Sequence, residues 1–189
     1  MADEKRAAND PLKNAEPNPR LTEFSKSPEP WTEIAKMEWG GDRTMASTIQ
    51  ALIMDADVSQ YPGLEKKLLA VLDDKNCTDV ARDFVCRMLR LIGTPACVPA
   101  LAKLLENEKS ADVARYALQT IPGFEVDAAL RAALTILKGK TKAGLIGTIS
   151  ARGDRDAQAA IKAIAADSSE PADVRDAAAL AVATAGGAQ

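Results

Sequence analysis

The phrase Asp79-Val80-Ala81-Arg82 returns 33 residues later as Asp112-Val113-Ala114-Arg115, and a shortened form, Asp173-Val174-Arg175, stands near the end of the chain. Glycines keep a similar beat, with Gly93, Gly123, Gly153 and Gly186 spaced by 30, 30 and 33 residues. Self-similarity at such a period implies a supersecondary unit that cannot bury its apolar face alone and must stack on its neighbours. The apolar spacing says which unit. Val80, Phe84, Val85, Met88, Leu91 and Ile92 recur at helical intervals, while Arg82, Asp83, Arg87 and Arg90 fall on the other side. The pattern predicts an all-α fold, a right-handed α-solenoid of about four helix pairs.

Helix-breaking residues fall where such a solenoid needs corners. Gly93 stops one helix, and Thr94 with Pro95 opens the next. Pro62 and Pro171 lie at helix starts, where a missing N–H costs no bond. The first unit spans Pro62 to Ile92, with Leu64, Leu68, Leu69, Val71 and Leu72 inward in its first helix. The second uses Val98, Leu101, Ala102, Leu104 and Leu105, then Ser110 as N-cap of a helix from Asp112 to Ile121. The third covers Val126 to Leu137 and Lys140 to Arg152, where Gly144 and Gly147 imply close approach of a neighbouring helix. The fourth takes Ala157 to Ala166 and Glu170 to Ala185, and its alanines bury less area than the leucines elsewhere.

Ahead of these units the character differs. Residues 1–29 carry four prolines and many charges without apolar period, which predicts an extended or disordered tail. Residues 30–62 read as an N-terminal helical cap. Trp31, Ile34, Ala35, Glu38 and Trp39 share helical spacing, and both tryptophans of the chain fall in this one short helix. Residues 63–187 hold the repeats.

Several function classes lose ground on composition. The chain has no histidine, so His-based acid/base work, Ser-His and Cys-His nucleophile pairs and His-containing metal sites are all closed. Cys77, Cys86 and Cys97 have neither disulfide-framework nor zinc-knuckle spacing, and Cys86 beside Val85 reads as a small buried hydrophobe. No catalytic residue, cofactor site or metal site is assigned, and the chain is expected not to be an enzyme. No stretch is apolar enough to span a bilayer, and no signal peptide is visible in the first 30 residues. The expected location is cytoplasmic, with an exported mature form as the alternative. Gly139-Lys140-Thr141 resembles the end of a phosphate-binding loop, but the glycine such a loop needs five residues earlier is Leu134. Arg152-Gly153-Asp154 spells an adhesion tripeptide at a position where each unit has its corner glycine.

The first half of the unit, Val98-Pro99-Ala100-Leu101-Ala102-Lys103-Leu104-Leu105, and the second, Pro171-Ala172-Asp173-Val174-Arg175-Asp176-Ala177-Ala178-Ala179-Leu180, together resemble short HEAT-like repeats of the bilin-lyase type. The likeness covers about residues 63 to 187. It implies a protein-binding scaffold, since most HEAT-like proteins are interaction modules. A minority are enzymes, among them bilin lyases, di-iron deoxyhypusine hydroxylases and some alkylpurine DNA glycosylases. The hydroxylase branch needs paired His-Glu ligands, which a chain without histidine lacks.

The expected function is therefore a non-enzymatic protein–protein interaction or scaffold module, as a subunit of a larger assembly. A bilin-lyase-like enzyme or chaperone and a nucleic-acid-binding solenoid are the alternatives. From Glu125 to Arg155, the cations Arg131, Lys138, Lys140, Lys142, Arg152 and Arg155 stand against Glu125, Asp127 and Asp154, a local charge of +3 between acidic ends. This suits a protein partner with an anionic surface. Nucleic acid is disfavoured, because the overall charge is −3 and no aromatic interleaves with these cations. The residues nominated for partner binding are Arg82, Arg87, Arg115, Lys140, Lys142 and Arg175, with Trp31 and Trp39 as aromatic anchors. Arg82 and Arg115 also have a structural reading, as partners of an aspartate in a neighbouring unit.

Overall fold

The computed structural model describes residues 29–186, and over that span the protein is all-helical. Its helices are α1 (Glu29–Glu33), α2 (Thr44–Asp55), α3 (Tyr61–Asp73), α4 (Asp79–Ile92), α5 (Val98–Leu105), α6 (Glu108–Leu118), α7 (Phe124–Ala133), α8 (Gly139–Arg152), α9 (Gln158–Ala166) and α10 (Ala172–Gly186). Short 3-10 turns at Ile34–Lys36, Val58–Gln60 and Pro95–Cys97 join some of them. The tail expected over 1–29 lies outside the described residues except for Glu29.

Each odd helix from α3 onward packs against the even helix that follows it, so α3 pairs with α4, α5 with α6, α7 with α8 and α9 with α10. The even helices also touch in order, α4 on α6, α6 on α8 and α8 on α10. One continuous core results, from Trp31, Ile34 and Ile49 through Leu89, Leu101, Leu118, Leu130 and Ile149 to Ile161 and Ala178. Alanines line much of the contact between even helices. Ala81, Ala114 and Ala117 are fully buried, and their small side chains let the backbones approach. Each fully buried leucine or isoleucine contributes about 1.5–3 kcal/mol.

Side-chain N-caps open α4 and α6, and the helix ends depart from the sequence expectation in two places. Thr78 caps α4 by accepting the Ala81 N–H at 3.1 Å, and its own N–H donates to the Ala35 carbonyl, which ties the N-terminal segment to the first pair. The cap of α6 is Asn107, which accepts from Lys109 N–H at 3.0 Å, and not Ser110. Ser110 is buried inside the helix and donates to the Leu104 carbonyl at 2.7 Å. An asparagine four residues after Lys103 carries the same N-cap signal as a serine, so α6 starts a turn early. The corner glycines are not equivalent either. Gly153 is a left-handed C-cap of α8 at φ +70°, whereas Gly123 lies beyond the end of α6 and opens α7. Gly93 has an ordinary φ of −64°, and is needed because a Cβ there would meet the Leu89 carbonyl.

Trp39 corrects the expected first helix. The chain leaves helical geometry at Met37, whose backbone is extended, so Trp31 and Trp39 do not share an element. Trp31 is only 7% exposed and joins the core, with Lys67 Nζ 5.2 Å from its ring centroid. Trp39 is 77% exposed, beside the Arg43 guanidinium.

Arg152, the last residue of α8, closes the most demanding corner. Its Nη1 donates to the carbonyls of Leu118, Gln119 and Ile121 at 3.0, 3.1 and 2.8 Å. Its Nε donates to Asp127 of α7 at 2.6 Å, and Nη2 reaches the Gly123 carbonyl at 3.4 Å. A helix leaves its final carbonyls without intrahelical partners, and burying them unpaired is costly. One guanidinium from the next pair satisfies the exit of α6. Arg152→Ala should therefore lower unfolding stability by about 3 kcal/mol, read as the midpoint of urea denaturation at unchanged slope. The two helical glycines of α8 differ. A Cβ on Gly144 would lie 3.3 Å from Arg115 Cζ, while one on Gly147 would meet nothing within 4 Å. Gly147→Ala should raise stability by about 0.5–1 kcal/mol, and Gly144→Ala should fall short of that gain in the same assay.

Candidate functional site

Most of the nominated cations are committed inside the fold. Arg82 pairs with Asp79 and donates to the Cys77 carbonyl at 3.2 Å. Arg115 pairs with Asp112 at 3.1 Å and crosses to α8 to reach Thr148 Oγ1 at 3.0 Å. In both cases the aspartate belongs to the same helix, three residues earlier, and not to a neighbouring unit. Lys142 forms a largely buried ion pair with Glu170, and Arg175 donates to the Glu170 carbonyl at 2.7 Å. These four side chains fix the corners of the helix pairs. Arg87 and Lys140 are exposed, as is Trp39.

The basic third unit is changed in the same way. Arg131 pairs with the buried Asp154 at 2.7 Å, Arg152 with Asp127, and Lys142 with Glu170. Half of its six cations thus have carboxylates against them, and Lys138, Lys140 and Arg155 form its exposed remainder. The same contacts dispose of the adhesion tripeptide, because Arg152 and Asp154 both point into packed structure.

The outward face of the even helices holds what the sequence reading passed over. On α4, Leu91 was expected to face inward, but it is 51% exposed, and Leu89 is the fully buried residue. On α6, Tyr116 is 43% exposed. Arg90 lies over the Tyr116 ring, its Cζ 4.2 Å from the centroid, while Nη1 donates to the Tyr116 carbonyl at 2.7 Å. Thr120 Oγ1 returns a bond to the Arg90 carbonyl at 2.9 Å. Arg87, one turn before Leu91, is held by Asp83 at 2.9 Å, and this hydrogen bond keeps its guanidinium more firmly protonated. Farther along the row, α8 and α10 flank an open groove of about 1120 Å³, with Gly147, Ala151, Ala177, Leu180 and Ala181 among its lining residues and Arg155 as its charged one.

Among the described residues, no three or more metal-ligating side chains come together, and no helix is long and apolar enough to cross a membrane. One buried carboxylate, Glu65 of α3, is 3% exposed and accepts from both Thr94 N–H, at 2.8 Å, and the Thr94 hydroxyl. It pins the corner after α4 to the preceding helix. Cys97 lies in the same corner, and burial, then the adjacent Glu65, push its thiol up to about 12. Burial does the same to Cys86, also to about 12. No family model, curated protein or solved structure matches the chain.

The raised thiols have two measurable consequences. At pH 8 a thiol reagent should modify Cys77 first in the native protein, with Cys86 and Cys97 reacting only on unfolding. A thiol whose folded pKa lies above its unfolded one stays protonated in the native state after the unfolded chain has ionised. Stability should therefore be undiminished by these thiols below about pH 9 and fall as pH rises toward about 12. A Cys86→Ser, Cys97→Ser double variant should show a shallower fall over that window.

Proposed function

We propose that the chain is a non-enzymatic protein-interaction module, an α-solenoid of HEAT-like helix pairs that works as a subunit of a larger assembly. The observation that supports this reading is that α4, α6, α8 and α10 touch in order as a row of helices, the arrangement expected of stacked repeats. Leu91, Tyr116 and Leu180 lie exposed on that row, each from a different helix. Large apolar and aromatic side chains in such positions suit a partner's surface. Charge complementarity supports the reading less than expected from composition, because Arg115, Lys142 and Arg175 serve the fold. Three free thiols, none bridged, fit a reducing compartment such as the cytoplasm.

The test is affinity capture from native extract with the full chain and three variants. Arg87→Glu and Leu180→Asp alter opposite ends of the row, and Lys162→Glu alters the exposed side of α9. A partner should be recovered in stoichiometric amount, with recovery reduced at least about fivefold by one or both row variants and unchanged by Lys162→Glu. Recovery of no partner, or equal loss with Lys162→Glu, would overturn the proposal.

A further inference from the structure

We infer that the α4–α6 portion of this row, built from Arg87, Arg90, Leu91 and Tyr116, docks a peptide segment in which a carboxylate side chain stands next to an aliphatic or aromatic one. The inference rests on the interaction-module reading and names the chemistry of its partner.

The first ground is composition. Arginine and tyrosine are the residue types most enriched where binding energy concentrates, and here they adjoin an exposed leucine. The second is preorganisation. Arg90 is held from two sides, by the stack on the Tyr116 ring and by the hydrogen bond to the Tyr116 carbonyl. A long side chain fixed in advance loses little conformational freedom on binding. Its planar fork still has donors beyond the Nη1 bond, and a fork of this kind matches the two oxygens of a carboxylate. The third is charge. Arg87 stands three residues before Arg90 on α4, one helical turn away, so two guanidiniums rise from the same stretch of that helix. Asp83 is the acid that faces them on α4, paired with Arg87, and Asp112 on α6 is paired with Arg115. The patch is left with a net positive charge at Arg90. A carboxylate is drawn to it, and a lysine-rich segment is repelled.

The apolar requirement follows from Leu91 and the exposed part of Tyr116. Covering both with water-excluding contacts needs an apolar side chain next to the acid. The surrounding Arg90–carboxylate contact then gains strength from the lowered local dielectric.

The experiment uses the full chain and a short labelled peptide alternating glutamate with leucine and phenylalanine. Two comparison peptides replace the glutamates by glutamine or by lysine. Fluorescence anisotropy should show saturable binding of the acidic peptide, with the glutamine peptide weaker by about tenfold and the lysine peptide not binding. Arg87→Glu and Tyr116→Ala should each raise Kd by about tenfold, and Arg90→Lys should also raise it although it keeps the charge. Amide shifts in a titration should centre on residues 87–91 and 116–120. Thermal melting of each variant would show that it is folded. No saturable binding, equal binding of the glutamine peptide, shifts centred on residues 138–142, or a dimer of the chain occupying this face would each overturn the inference. The two proposals can fail separately. Capture of a partner that is lost with Leu180→Asp and indifferent to Arg87→Glu and Tyr116→Ala would leave the module standing and remove this site.

Discussion

The corner between α6 and α7 depends on one guanidinium. Arg152 sits at the end of α8, more than 30 residues along the chain from the Leu118 and Ile121 carbonyls it satisfies. Without it, α6 would end in buried acceptors with nothing to accept, and the start of α7 would lose Asp127's partner. Related ties recur along the protein. Glu65 of α3 holds the corner after α4, Arg115 of α6 reaches α8, Arg131 of α7 holds Asp154 after α8, and Lys142 of α8 holds Glu170 before α10. Packing of leucine and alanine supplies most of the energy, but it is not directional. The polar ties set where each pair sits on the next.

This division explains why charge in the sequence misleads about the surface. Counted along the chain, residues 125–155 are basic. In space, three of their six cations meet acids that lie next to them or in the following unit, and the exposed cations are reduced to Lys138, Lys140 and Arg155. Linear composition registers how many charges there are, and folding decides which of them meet solvent.

The all-helical character was legible in the sequence, because helical apolar spacing, proline at helix starts and glycine at corners act over a few residues. The arrangement of the pairs into a solenoid is a proposal built on that spacing. What could not be read was set by contacts across the chain. Leu91 and Leu89 are equally apolar and two residues apart, and the choice between them depends on how α6 lies against α4. Trp39 has helical spacing from Trp31, but the chain turns extended at Met37, where the Thr78 hydroxyl bonds its carbonyl. Arg90 belonged to a polar stripe in sequence, and its stack on Tyr116 needs two helices to exist at all. Asn107 was legible and missed, since asparagine is as good an N-cap as serine.

The ties between pairs also bear on modularity. A chain with a returning phrase invites the thought that units can be deleted, duplicated or exchanged like beads. Here the end of α6 is completed by an arginine that belongs to the following pair, so a protein cut after α6 or α7 would lack a residue its own last corner requires. Growth or loss of units would have to carry that arginine along or replace it with a terminal cap. In this protein the interchangeable part is larger than the period suggests, since the end of α6 is complete only when the chain runs on through Arg152, beside the Gly153 corner.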